Sequence, residues 1–267
     1  MITKTDAIVL KSMRYRETSR IVTFYTRRYG KLKAIAKGAR DLKSKFGASL
    51  EPMTLSSLVL YKKEQRELQF ISQCDIVRQY KRIHSEIGRM AVALSVVELV
   101  NQLTHDEEEN LALFSLLVKT LDTLEKSEKM FESLFYAFEI RLASLFGFGL
   151  HLDKCVSCGK RLEFNGVSTH VMMDIGKGGI FCPACSASSG RPLGRSGTGG
   201  DSKYRIGAET AGVLKLLLHL ELDNIQNLEY STEVGNELGE TLRLYLQYHI
   251  EGLKPLKSAK VFQKMHG

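Results

Sequence analysis

The hydrophobic residues of this chain change their period once, near residue 80, and that change limits the fold more than any other feature. Before it come five short runs rich in β-branched and aromatic residues: Ala7–Lys11 (AIVLK), Ile21–Thr26 (IVTFYT), Lys31–Lys37 (KLKAIAK), Leu55–Tyr61 (LSSLVLY) and Leu68–Val77 (LQFISQCDIV). Polar or glycine-containing stretches separate them, which is the pattern of strands and turns. Five strands in so short a length fit a small closed β-barrel, and the OB-fold is the commonest five-stranded solution. After the change the period is that of a helix, over Ile87–Leu103, Asn110–Leu124, Met130–Phe146, Thr210–Leu222 and Val234–Ile250. In the third of these, Phe131, Leu134, Phe135, Phe138, Leu142 and Leu145 make an apolar stripe suited to packing. The chain is therefore expected to be α+β. An OB-fold barrel over 1–80 precedes a helical domain over 81–267, which is interrupted at 151–202 by a cysteine-bearing element and a Gly/Ser-rich loop.

Charge follows the same division. Residues 1–81 hold 18 Lys or Arg against 7 Asp or Glu, and residues 82–267 hold 20 against 23. The excess of +8 over the whole chain thus belongs to the barrel. Such asymmetry points to a polyanion-binding module joined to a near-neutral body, against the alternative of a well-solvated surface. It is densest from Gly30 to Gly47, GKLKAIAKGARDLKSKFG, where six cations face only Asp41. On a strand, Lys31, Lys33 and Lys37 share one face, while Leu32, Ala34 and Ala36 take the other and enter the core. The lysines then form an outward ladder with ~6.6 Å between two-residue steps, near the repeat of an extended nucleic-acid backbone. Gly38 opens a loop carrying Arg40, Lys43 and Lys45, and Arg14, Arg16 and Arg20 from the first connection extend the surface. Phe46, Tyr15 and Tyr29 are candidates for base stacking, with burial in the barrel as the alternative for each. The competing reading is an edge strand protected from aggregation by lysine.

Of five cysteines, Cys74 lies alone in the last strand and reads as a small buried apolar residue. The others form CVSC (Cys155, Cys158) and CPAC (Cys182, Cys185). Two tight turns of this kind supply four thiolates to a tetrahedral zinc ion, with a β-hairpin filling the interval. An iron–sulfur cluster takes the same ligands. A shell closed by four sulfurs leaves no position for water, so zinc here is expected to be structural. His151 and His170 read as surface residues.

Other chemistry is missing. GKGG (Gly176–Gly179) and GTGGDSK (Gly197–Lys203) both lack the spacing of a phosphate-binding loop, and no HExxH or GxSxG occurs. The acidic run Asp106–Glu109 reads as a solvated turn before a helix. No apolar run spans a bilayer and the N-terminus lacks a secretory pattern, so a cytoplasmic protein is expected.

The motifs together resemble the RecO family of bacterial recombination mediators. The match is carried by AIVLKSMRYRETSRIVTFYTRRYGKLKAIAKGAR with LEPMTLSSLVLY, by FEIRLASLFGFGLHLDKCVSCGK, and by LRLYLQYHIEGLKPLKS. The resemblance implies an OB-fold, a helical C-terminal domain with an inserted zinc element, and no nucleotide hydrolysis. It implies binding of single- and double-stranded DNA at the nucleoid, and annealing of complementary strands. The implied partners are RecR, the acidic C-terminal tail of the single-stranded-DNA-binding protein, and RecA, which the family helps to load. Lys254, Lys257 and Lys260 form a candidate site for the acidic tail. Two rival readings stay open: a protein-interaction scaffold whose basic barrel meets an acidic partner, and an RNA-directed zinc-ribbon factor.

Overall fold

The computed structural model describes residues 1–63, 66–162, 169–188 and 202–258. They divide into two compact units, Met1–Phe131 together with the segment from Lys254 onward, and Glu132–Leu253. The division falls after the second long helix, whereas the change of hydrophobic period falls near residue 80.

In the first unit, β1 (Ile2–Tyr15), β2 (Ser19–Thr26), β3 (Gly30–Ala36), β4 (Leu55–Tyr61) and β5 (Leu68–Arg78) close a barrel in the order β1-β2-β3-β5-β4. All neighbours are antiparallel except β3 and β5, which pair in parallel over Lys33–Ile35 and Leu68–Phe70. Alternation sets the interior: Ala7, Val9, Val22, Phe24, Leu32, Ala34, Ala36, Leu58, Leu60, Ile71 and Cys74 fill it. Cys74 is thus the buried apolar residue its position suggested. Phe46 and Leu50, from a connection containing a 3₁₀ turn at Gly47–Leu50, join this cluster.

β1 is longer than the expected Ala7–Lys11. Its first half alternates buried Thr3 and Thr5 with exposed Lys4 and half-buried Asp6, a pattern masked by the small polar threonines. The Thr3 hydroxyl finds the Tyr29 hydroxyl at 2.6 Å, which makes its burial tolerable. A bulge between Val9 and Lys11 bends the strand, so that it leaves β4 and continues with β2 as a hairpin to Tyr15.

The same unit contains α1 (Lys81–Ser85), α2 (Ile87–Leu103) and α3 (Leu111–Lys126). α2 packs on β1. Ile8 and its register partner Tyr25 are fully buried although they lie outside the barrel core. The α2–α3 connection then runs beside β3. Lys31 and Asp106 form a parallel bridge, and the Glu107 amide donates to the Lys31 carbonyl at 2.7 Å. Gly30 permits this approach: its φ is +60°, and a Cβ there would collide with the Glu108 carbonyl oxygen. Asn110 caps α3 by accepting from the Leu113 amide at 2.9 Å.

In the second unit, α4 (Phe131–Leu145) buries Leu134, Phe138 and Leu142 completely, as its stripe requires. A three-stranded sheet in the order β7-β6-β8 is built from β6 (His170–Asp174), β7 (Gly179–Ile180) and β8 (Lys203–Gly207). The β6–β7 hairpin is the one expected between the cysteine pairs, whereas β8 carried no separate sequence signal. α5 (Pro183–Ser188), α6 (Ala208–His219) and α7 (Thr232–His249) complete the unit. The Arg141 guanidinium donates to the carbonyls of Ala137, Leu217 and Leu220, and so satisfies the C-terminal end of α6. The long helices begin and end within a turn of their expected limits. Residues 189–201, most of the expected Gly/Ser-rich loop, lie outside the described residues.

Two outcomes test this packing. Gly47 also has a positive φ, +49°, but a Cβ there meets nothing within 4 Å. Gly47→Ala should cost about 1 kcal/mol in denaturant unfolding, and Gly30→Ala about 1–3 kcal/mol more, because it drives the acidic connection off β3. The second concerns Glu139 on α4, whose carboxyl is pushed up to about 8 by burial. A carboxyl with a raised native pKa holds its proton in the folded state after the unfolded state has lost it. Stability of the second unit should therefore fall as pH rises from about 4.5 to about 8, by up to roughly 1.4 kcal/mol per pH unit. Glu139→Gln should flatten that dependence in denaturation curves taken across the window.

Candidate nucleic-acid interface and metal centre

Strand alternation turns Lys31, Lys33 and Ile35 of β3 away from the core, as expected. Their surroundings differ. The Lys31 ammonium donates to the carbonyls of Asn101, at 3.0 Å, and Thr104, and lies 3.9 Å from Asp106. Burial lowers its pKa against the raising effect of Asp106. Lys33 is exposed and pairs with Asp106 at 3.0 Å. Lys37, just past the strand, is exposed and stands 4.9 Å from the centre of the Phe70 ring. The acidic run is thus no purely solvated turn: Asp106 meets the β3 lysines, and Glu107 pairs with Lys62 at 2.9 Å. Placed opposite the most basic strand, carboxylates are drawn to it by charge.

The loop after Gly38 is tied down at two points. The Arg40 amide donates to the Thr18 carbonyl at 2.9 Å, and its guanidinium to the carbonyls of Arg16 and Glu17. This brings the loop to the β1–β2 turn, where Arg14 and Arg16 are exposed and Arg14 faces Arg20 across the hairpin. Arg20 is held by Glu51 at 2.8 Å and by the Ser12 hydroxyl at 3.3 Å, which relieves that like-charge pair. Farther along, Lys45 donates to the Ser72 carbonyl of β5 at 2.6 Å, and Lys43 is exposed. The ladder and the arginine cluster are therefore brought together through Arg40, with Lys31 drawn aside.

The aromatic candidates fare unequally. Phe46 takes the buried alternative: it is 4% exposed and packs in the barrel core. Tyr29 spends its hydroxyl on Thr3 and has Lys62 near its ring. Tyr15 is half-buried beneath Arg16. The sequence reading missed Phe70 and Tyr61. Both lie at outward positions of strands it had identified; alternation past Leu58 and Leu60 gives Tyr61, whereas a bulge between Ile71 and Cys74 breaks the count from Cys74 and hides Phe70.

The four cysteines converge in the second unit. Their sulfurs all lie within 4.8 Å of one another, and Cys158 and Cys182 are 3.7 Å apart. A tetrahedron with metal–sulfur bonds of about 2.3 Å has edges of about 3.8 Å, so the cluster can hold a metal ion of zinc's size. Local geometry makes the convergence possible. Gly159, at φ +74°, turns the chain after Cys158, and its amide donates to the Cys155 carbonyl at 3.0 Å. Gly179 has no room for a Cβ against Val156 and the His151 carbonyl. The Cys155 thiol is raised by desolvation, but amide donors at Cys158, Cys182 and Ser157 outweigh this and bring it to about 6. Cys185 goes the other way, to about 12, because its thiol donates to the Cys158 and Cys182 sulfurs and so holds its proton. Four thiols this close cannot all ionise without a cation among them, and the donor set suits a soft-accepting divalent ion. His151 and His170 are exposed and stand outside the cluster.

Of the lysines offered for an acidic tail, Lys254 and Lys257 are exposed on a segment fastened to Gln102 and Glu98 of α2. Lys260 lies outside the described residues. Among the described residues no helix is long and apolar enough to cross a membrane.

Comparison with known proteins completes the picture. The family described as Recombination protein O N terminal matches residues 1–80, and that described as Recombination protein O C terminal matches residues 84–260. The DNA repair protein RecO of Chloroherpeton thalassium is 30% identical over 99% of this chain and 99% of its own. That of Salinibacter ruber is 31% identical over 100% of this chain and 95% of its own. That of Frankia casuarinae is 32% identical over 95% and 96%. With both halves matched and relatives aligned from end to end, this chain belongs to the RecO family of DNA repair and recombination proteins.

Proposed function

We propose that the chain is a non-enzymatic recombination mediator. It binds single- and double-stranded DNA, anneals complementary strands and, with RecR, helps load RecA onto DNA coated by the single-stranded-DNA-binding protein. Residues 1–80 are the DNA-binding domain and residues 81–267 carry the partner contacts. The observation that carries this reading is the run of exposed cations along the barrel: Lys33, Lys37, Arg40, Lys43 and Lys45, with exposed Arg14 and half-buried Arg20 at the hairpin. The protein partners seen for them are carbonyls, a hydroxyl, aromatic rings and partly exposed carboxylates, contacts worth ~1 kcal/mol or less each, and a phosphate can replace them. Lys31 contributes to the frame that positions them. Phosphate contacts carry no sequence information, so binding is largely non-specific. Neutralising phosphates on two strands lowers the barrier to their meeting, and exposed bases then pair. Membership of the family also supports RecR, RecA and the acidic tail as partners, and action in the cytoplasm on nucleoid DNA.

The metal at Cys155, Cys158, Cys182 and Cys185 is structural zinc. It holds two turns together and offers no open position for catalysis.

Two measurements check these statements. Replacing Lys37, Arg40 and Lys43 together by Ala should lower the slope of log affinity against log salt for single strands by ~0.7 per lost phosphate contact. An unchanged slope would remove this surface from the DNA site. X-ray absorption on the purified chain should find zinc with four sulfur ligands. Cys158→Ser should lower the melting temperature of the second unit while leaving the salt slope of DNA binding as it was. An oxygen or nitrogen ligand in the unsubstituted protein would contradict a closed structural site.

A further inference from the structure

The barrel has two kinds of outer surface. Over β1 and β2 it is covered, with Ile8 and Tyr25 fully buried and α2 lying on β1. Over β3, β5, β4 and the start of β1 it is open. Register places Ile35 beside Phe70, Phe70 beside Tyr61, and Tyr61 beside Ile2. Paired residues point to the same face of a sheet, so these four form one row across the strands. Tyr61 and Ile2 are exposed at 48% and 62%, and Phe70 is half-buried. Cations border the row. Lys37 Nζ and Arg66 Cζ lie 4.9 and 5.7 Å from the Phe70 ring centre, and Lys45 is fixed to Ser72, two residues farther along β5. Exposed Lys33 and Lys4 lie on the flanking strands.

We propose that Phe70, with Tyr61 beside it, is a stacking platform for the unpaired bases of a single strand, whose phosphates are taken by Lys37, Arg66 and Lys45. This rests on the DNA-binding reading above and names where bases go. Charge complementarity selects the occupant: an apolar protein partner has no need of two cations over one ring and a third beside it on the same strand, whereas a nucleotide presents a flat base and a phosphate together. Relative strengths let the exchange proceed. An exposed cation–π contact is worth roughly two- to fivefold in an equilibrium constant, and base stacking on an aromatic ring roughly 5- to 150-fold. A base can therefore displace Lys37 or Arg66 from the ring, and the freed cation swings to the adjoining phosphate. Because every base has a flat face, the platform binds without reading sequence.

The full-length protein supplies the test. Phe70→Leu keeps the apolar contact with Ile35 but removes the aromatic face. It should weaken binding of oligothymidine roughly 5- to 100-fold while leaving affinity for an abasic oligomer of the same length, and the salt slope, unchanged. Phe70→Trp places the sole tryptophan in a chain that has none. The fluorescence of that variant should fall as oligothymidine saturates the protein and stay level with the abasic oligomer. Three results would overturn the platform: equal loss for both oligomers with Phe70→Leu, no loss for either, or no fluorescence change in Phe70→Trp at saturation with oligothymidine. The second of these would assign the face to a protein partner. Failure of the unsubstituted protein to bind oligothymidine at all would be a different result, since it would remove the DNA reading itself and the platform with it.

Discussion

A barrel of five short strands has room inside for only every second side chain, and every outward side chain must then meet either a helix or water. β3 lies where that choice changes. Its inner residues Leu32, Ala34 and Ala36 are fixed by the core. Of its outer residues, Lys31 faces the α2–α3 connection and Lys33 faces solvent. Lysine can stand at this border because its stem tolerates burial while its ammonium seeks acceptors. The acceptors it finds, the carbonyls of Asn101 and Thr104, belong to the last turn of α2 and its C-cap. Those carbonyls lack intrahelical partners and carry the negative end of the helix dipole, so a cation there satisfies both needs. Barrel and helices are thereby joined into one compact unit by the very strand that reads from sequence as a plain cationic ladder.

The second unit solves a different problem. Between α4 and α6 the described residues form three short strands, the six-residue α5 and tight turns, with no long helix to order them. Convergence of Cys155, Cys158, Cys182 and Cys185 supplies a fixed point. The β6–β7 hairpin spaces the two knuckles, and Gly179 lets its return strand lie against Val156. β8 then pairs with β6 and leads directly into α6, so the orientation of the knuckles is transmitted to the helical core of the same unit.

Much of this is legible in the sequence, for reasons that differ by element. The helices can be read because their apolar residues repeat over three or more turns, and Asn110 and Gly147 mark ends by their own chemistry. The cysteine pairs can be read because few structures need that spacing. β1 reads short because Thr3 and Thr5 look polar but pack as small residues in the barrel. Phe46 reads either way, because its neighbours Lys45 and Gly47 suggest an open loop while its ring suits the barrel interior where it is found. The docking of Asp106 on Lys31 and Lys33 depends on residues more than seventy positions apart, and no local pattern carries it. Phe70 escapes notice because an aromatic residue within a strand suggests core, although Gln69 and Ile71 on either side already occupy the inward positions.

These assignments divide the barrel's positive charge by what each cation already holds. Lys31 and Lys62 bind groups of the α2–α3 connection, and Arg40 joins two loops, so their removal disturbs the frame as well as the field. Lys37, Lys43 and Arg14 are exposed, and a phosphate would cost them little beyond a weak surface contact. The net +11 of residues 1–81 therefore overstates the number of phosphates the domain can neutralise at once. Long-range attraction responds to the whole charge, and brings a strand to the barrel from any direction. Counterion release responds only to cations that reach phosphates. On the proposed reading, a protein built in this way would collect DNA strongly yet hold each strand through few contacts, which suits an agent that must let two strands find each other.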